Sequence, residues 1–292
     1  MTWNLRYAPH LGYRPPFDPL FRATVGSDDP VAHIEFARDQ GFAGALYAAA
    51  RGRTVDEQHR VGEALANNGL EAGCLLYTTF DKLRTTMWAV DTRDARDAIA
   101  AELRLAIDVA KRIGAKRLAV LGGSDPARPM AEQHAAFIRN LRFAAEIAAP
   151  AGVLLCLETL SSKSVPDMLL QHIADAYAIV RAVDNPAVRL IFDTSHVQIM
   201  DGDLLANLEA TWDAIDIVQI ADNPGRTEPG SGEINFESLF RLLHRLQYRG
   251  LVELEHGWLR PGIVSERSGL ALLRELDAAA TRPFGETAGD DS

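Results

Sequence analysis

The chain has 292 residues, 47% of them apolar and 24% charged, which is ordinary globular usage, neither disordered nor fibrous. That length is within reach of one α/β barrel of typically ~250 residues. The formal net charge of −10 is spread over both halves, so the long-range field repels phosphate backbones and anionic membrane surfaces and argues against nucleic acid and membrane partners.

Residues 1–16 mix Arg6, Arg14 and several prolines and hold no continuous apolar segment, and no later window reaches the length of a membrane span; a soluble, cytoplasmic protein is expected. Short aliphatic runs then alternate with longer stretches that repeat apolar residues at helical spacing, the pattern of parallel strands joined by crossover helices. Extended segments are expected near 4–10, 43–48, 70–77, 116–121, 152–158, 188–193, 215–221 and 250–255. Eight such strands close a barrel, so the expected fold is a single (β/α)8 TIM barrel over residues 1–280, followed by a frayed, Gly- and Asp-rich tail at 281–292.

Among the helices, Asp28-Asp29-Pro30 supplies an N-cap and a first-turn proline, and Thr54 with Glu57 has capping-box spacing. Residues 91–113 read as a long helix with Ala98, Ala101, Leu105 and Val109 on its core face, closed by Gly114. Later helices are expected near 131–149, 167–184, 203–213, 235–247 and 264–280. Cys74 and Cys156 each lie in an apolar run without a CxxC neighbour, which suits a reducing compartment. An open doubly wound sheet is the rival architecture, but it would carry a Gly-rich phosphate turn after its first strand, and His10-Leu11-Gly12-Tyr13 is no such turn.

In a closed parallel barrel a polar residue at the last position of a strand faces the mouth where such enzymes work. Strand five runs Val153-Leu154-Leu155-Cys156-Leu157 into Glu158, strand six ends at Asp193, strand seven reaches Gln219 and strand eight ends at Glu255. Carboxylates crowded there repel one another unless protonated or compensated, and oxygen donors suit Mg or Mn better than Zn, so one divalent metal ion is expected. Taken singly, a carboxylate after a strand is more often a helix N-cap than a ligand; the coincidence of four strand ends changes that balance. His196 reads either as a satisfied loop histidine or as a donor to substrate oxygens, and Asp222 as a cap of the next segment. Glu253 shares the face of Glu255 and is expected one layer deeper, with Arg189 as its candidate partner.

The segment Val218-Gln219-Ile220-Ala221-Asp222-Asn223-Pro224-Gly225-Arg226-Thr227-Glu228-Pro229-Gly230-Ser231-Gly232-Glu233-Ile234-Asn235-Phe236 resembles the hydroxypyruvate isomerase family, within the xylose-isomerase-like barrel superfamily. Cys156-Leu157-Glu158, Phe192-Asp193-Thr194-Ser195-His196 and Gly250-Leu251-Val252-Glu253-Leu254-Glu255 occur in the matching order, and Gly41-Phe42-Ala43-Gly44 fits too. The resemblance runs from about residue 29 to 257 and is denser in the C-terminal half. It implies Glu158 and Glu255 as the acid/base pair, a divalent metal held by Glu158, Asp193, Gln219 and Glu255, and substrate contacts from His196 and Arg226. Two departures touch the pocket wall: Ala45-Leu46-Tyr47 stands where many relatives have a glutamate, and Gly73-Cys74-Leu75 lacks a histidine that relatives often carry.

The chemistry so implied is proton transfer next to a carbonyl of a small carbohydrate or keto acid. An isomerase of a hydroxy-keto acid or ketose is the leading expectation; a ketose 3-epimerase and a lyase or dehydratase of an oxidised sugar use the same site. A non-enzymatic partner subunit would not need the cluster of charge. Abasic-site endonucleases share the fold, but they need several zinc ions, more histidines and a basic face, which this chain lacks. Homo-oligomerisation is left open, and the absence of a dedicated phosphate loop favours unphosphorylated substrates.

Overall fold

A computed structural model of the chain describes residues 2–282, so that of the tail expected to fray only Thr281 and Arg282 fall within the described residues. Each of the eight stretches expected to be extended contains strand. They are β1 (Arg6–Pro9), β2 (Gly44–Ala45), β3 (Glu71–Ala72), β4 (Leu75–Leu76), β5 (Arg117–Val120), β6 (Leu154–Glu158), β7 (Val188–Asp193), β8 (Ile215–Ile220) and β9 (Leu251–Leu254). All pair in parallel. One curled sheet of seven strands runs in the order β1-β9-β8-β7-β6-β5-β4, and β2 and β3 form a separate two-residue pair.

A regular eight-stranded ladder is therefore not what forms, and the reason lies in the third stretch. It breaks at Gly73-Cys74, where the Cys74 N–H donates to the Glu253 carboxylate at 2.7 Å instead of to a neighbouring strand. Hydrogen bonds from Ala43 N to Tyr7 O and from Leu46 N to Pro9 O, both 2.9 Å, tie the β2 edge to β1.

The helices that return the chain between strands are α1 (Arg22–Val25), α2 (Pro30–Asp39), α3 (Val55–Asn67), α4 (Arg93–Ile113), α5 (Met130–Ala148), α6 (Ile173–Val183), α7 (Thr194–Met200), α8 (Leu204–Ala210), α9 (Phe236–Arg245) and α10 (Ile263–Ala279). Asp29 caps α2 by accepting from Val31 N, and Thr54 caps α3 by accepting from Glu57 N at 3.2 Å. The capping box at α3 closes on one side only, because the Glu57 carboxylate takes the Tyr47 hydroxyl instead. In α4 the buried face is not the expected one: Ile99, Leu103, Ala106 and Ala110 point inward beside Val109, while Ala98, Ala101 and Leu105 are exposed. The α4 stripe was ambiguous because alanines stand on both faces and discriminate burial weakly.

Two buried acids bind the chain ends together. Asp277 on α10 accepts from Asn4 N, Leu5 N and the Tyr7 hydroxyl, and Glu266 accepts from Ala23 N and Thr24 N in α1. Cys74 and Cys156 are both free and buried. No helix among the described residues is long and apolar enough to cross a membrane.

Candidate active site

The four acidic and amide residues expected at strand ends lie at one end of the sheet, and the ladder sets their heights. Asp193 of β7 pairs in register with Gln219 of β8, and Gln219 pairs with Glu253 of β9. Glu255 thus sits one layer above Glu253 on the same side of the strand. Glu158 closes β6. Glu158, Gln219, Glu255, His196 and Arg226 all line a cavity of about 470 Å³, whose remaining wall is largely aliphatic, with Leu76, Leu121, Leu160 and Ile199 among its members.

Ligand atoms of Glu158, Asp193 and His196 lie within 4.8 Å of one another. The bland reading of Asp193 is also true: its carboxylate accepts from His196 N at 2.9 Å and caps α7. The other face of the same carboxylate is gripped by Arg226, whose two terminal nitrogens reach its two oxygens at 3.1 and 2.7 Å. Arg226 Nη2 is also 3.2 Å from Glu255 Oε1. One guanidinium therefore pairs with two carboxylates, Asp193 and Glu255, while Glu158 stands close by without a partner, so excess negative charge is left when all three are ionised.

Burial pushes the Glu158 carboxyl well above the usual carboxylate range, and Glu255 and Asp193 add to the rise. Burial likewise pushes Glu255 up to about 8, against the pull of Arg226. Asp193 goes the other way: Arg226 and the His196 N–H outweigh its burial and hold it low. No hydrogen bond or ion pair engages Glu158 among the described residues, and Gln219 Oε1 is buried without a partner. Oxygen donors, uncompensated negative charge and an orphaned amide oxygen are what a hard divalent cation requires, so the residues present fit one.

Arg226 is presented by a built loop. Asp222 and Thr227 exchange backbone hydrogen bonds at 2.8 and 3.2 Å, and Arg226 stands near the tip with φ 56°, in the left-handed region. Asp222 does not cap a helix. Its two carboxylate oxygens accept from Asn223, Gly230, Gly232 and Ile234 N–H groups and hold the whole loop. Gly232 is needed there, since a Cβ would meet Asn223 O at 1.9 Å.

The family profile described as xylose isomerase-like TIM barrel matches residues 34–276. The chain belongs to the xylose isomerase-like TIM barrel family. It is similar to hydroxypyruvate isomerase of Escherichia coli (strain K12), 31% identical over 242 residues, 79% of this chain and 89% of that protein. It is similar to 2-oxo-tetronate isomerase of Cupriavidus necator, 34% identical over 167 residues, 53% of this chain and 64% of that protein. Among solved structures it is similar to an AP endonuclease, family 2, from Brucella melitensis, with a TM-score of 0.77 and 26% identity over 92% of this chain and 99% of that one.

Within this xylose isomerase-like barrel, His196 is satisfied on one ring nitrogen and lines the cavity. Its Nδ1 accepts from Ser161 N at 3.1 Å, so the neutral ring carries its proton on Nε2 and is a donor there. Burial lowers its pKa to about 4, so the ring is neutral at neutral pH. The expected Glu253–Arg189 pair does not form: Arg189 donates to Ile215 O at 3.3 Å, and Glu253 is held by Cys74 and Gln219. Tyr13 was missed in the sequence. It lines the cavity, and the Arg226 guanidinium lies 5.5 Å from its ring centre. Tyr13 lies beyond the end of the first strand, where the strand-end rule selects His10, so that rule does not reach it.

Proposed function

We propose that this chain is a divalent-cation-dependent isomerase of a small hydroxy-keto acid or ketose, of the hydroxypyruvate isomerase type. The observation that carries the reading is the pair of buried carboxyls Glu158 and Glu255 on one cavity, with Gln219 in its lining and Asp193 close to Glu158. The isomerase relatives support the reaction class. Joining β3 and β4 across Gly73-Cys74 as a single strand makes the barrel eight-fold, with residues 1–280 as one domain and the active mouth where β6 to β9 end.

Glu158, Asp193, Gln219 and Glu255 would hold the cation, Mg or Mn by their oxygen chemistry, with His196 close beside them. When bound, such an ion supplies the fixed positive charge that offsets a developing enediolate. Glu158 and Glu255 divide the proton work. One takes the proton from the hydroxyl-bearing carbon and the other, protonated, returns one to the neighbouring carbon. The hydroxyl proton leaves the oxygen that becomes the new carbonyl and is restored on the oxygen that becomes the new hydroxyl. His196 Nε2–H and Arg226 orient and neutralise substrate oxygens, the arginine by its permanent charge.

Arg14 and Arg84 also line the cavity, which suits a substrate carboxylate. At about 470 Å³ the cavity is in the range that holds ligands larger than a three-carbon acid, which favours a longer oxo acid. The same room supports a second reading, ketose 3-epimerisation, in which one carbon loses a proton on one face and regains it on the other. The net charge of −10 speaks against an endonuclease, whatever the likeness of fold.

Solvent deuterium exchange into a panel of 2-oxo acids and ketoses, with and without Mn, tests the reading. Exchange into an oxo acid with formation of its aldehyde isomer is expected, and exchange with inversion alone selects the epimerase. Loss of water without exchange in any isomerisable substrate would overturn both.

A further inference from the structure

Glu253 is fully buried, with 0% of its surface exposed, one layer below Glu255 on the same side of the strand. Its Oε1 accepts from Cys74 N at 2.7 Å, and its Oε2 accepts from Gln219 Nε2 at 3.0 Å and from the Cys74 thiol at 3.2 Å. Burying a carboxylate is costly unless it is well paired, and the fold gives up much to seat this one. Strand three is interrupted to free the Cys74 N–H, and glycine at position 73 leaves room on both sides, since a Cβ there would lie 2.7 Å from Glu253 Oε1 and 2.9 Å from Leu46 Cα. Satisfying one backbone N–H does not require an acid, since a neighbouring strand does this elsewhere in the sheet.

What an acid alone provides is direction. Although burial raises its pKa, three donors converge on the two oxygens of Glu253 and hold it as an acceptor, so the Gln219 amide turns its Nε2 toward Glu253, which leaves Oε1 as the amide's unpaired atom. We infer that Glu253 is a positioning residue, which fixes the Gln219 amide so that its oxygen, not its nitrogen, is offered to a divalent cation in the neighbouring cavity. The inference rests on the cation site proposed above.

Three variants of the full chain test it by Mn binding calorimetry and thermal melting. In Glu253→Gln the new Oε1 keeps the bond from Cys74 N, and the new amide nitrogen faces position 219. Gln219 then flips to accept, and its nitrogen replaces its oxygen in the site. A Kd for Mn about 10- to 100-fold weaker is expected, with little change of melting temperature. The exchange Glu253→Gln with Gln219→Glu restores most of the affinity, because the carboxylate now at position 219 accepts from the amide now at position 253 with one oxygen and keeps the other free. Gln219→Glu alone sets two carboxylates together and is expected to melt below the exchange variant.

Wild-type affinity in Glu253→Gln, or no recovery in the exchange variant, overturns the inference and leaves the cation site standing. Absence of Mn binding by the wild type overturns both. Should Glu253→Gln fail to fold, equal melting of Gln219→Glu and the exchange variant overturns the inference.

Discussion

The two halves of the barrel mouth are built differently. From β6 to β9 the strands are four to six residues long and lead into Glu158, Asp193, Gln219 and Glu255. From β2 to β4 they are two-residue pieces that bring Ala45, Ala72 and Leu76, all buried, to the same structure. Long ladders fix side-chain heights, so ionisable groups that must converge belong on them; short irregular strands suffice for an apolar wall that only shapes a cavity. On the proposed function, the later half would carry the chemistry and the earlier half would shape the room for substrate.

The largest effect that would break the division is on turnover. Glu158→Gln and Glu255→Gln are each expected to lower kcat by about 10²- to 10⁴-fold, the worth of a positioned acid or base. Both should leave the fold intact, since each removes a buried carboxyl already crowded by its neighbours. Substitutions of Leu76 on the wall should instead move KM and the preference between substrates. Steady-state kinetics on the same panel decide, and a wall variant that lost as much kcat as the glutamate variants would end the comparison.

A smaller effect sits at the seam where the halves meet. His10, beyond β1, lies with its Nε2 2.9 Å from the carbonyl of His256, beyond β9. Burial lowers the pKa of His10 to about 3 and that of His256 to about 4. Unfolded, each would titrate near about 6.5. Below that pH the unfolded chain takes up protons that the folded one refuses, so these two groups withdraw stability as pH falls from about 6.5 toward 4, by up to about 1.4 kcal/mol per pH unit each. Glu255, raised to about 8, has the opposite sign: its share is present at low pH and is lost as pH rises through its folded value. The histidine share is isolated by difference. Urea midpoints of wild type and His256→Gln should converge as pH drops from 7 to 5, and parallel curves would refute the seam's titration.

The same contrast explains what the sequence made legible. Apolar runs ending in a carboxylate marked β6 and β7 and located Glu158 and Asp193, and the run of β8 carries Gln219 one residue before its end, because the ladder that orders a strand also writes its pattern. Nothing comparable marks a two-residue strand, so the break at Gly73-Cys74 was invisible until the Glu253 side chain filled it. The Glu253 partner was misjudged for a related reason: charge complementarity suggested Arg189, whereas the register brings Gln219 alongside. Arg226 came from the loop motif and not from strand logic, and Asp222, which holds that loop through four backbone N–H groups, carries no periodic signal at all.

The smallest expected effect tests the outer layer of the earlier half, on α4. Leu105 is 51% exposed although it lies on a stripe with Ala98, Ala101 and Val109, whereas Leu103, two positions away, is fully buried among Ile99, Ala106 and Ile107. If burial decides, Leu105→Ala removes little that folding had taken out of water and alanine is the better helix former, so its stability should stay within about 0.5 kcal/mol of wild type. Leu103→Ala in the same helix empties a packed position and supplies the contrast, about 2–5 kcal/mol. Denaturant midpoints for the pair read the helix's orientation directly. A larger loss at Leu105 than at Leu103 would rotate α4 onto the face its alanine stripe suggested and displace the wall that β4 and β5 offer to the cavity.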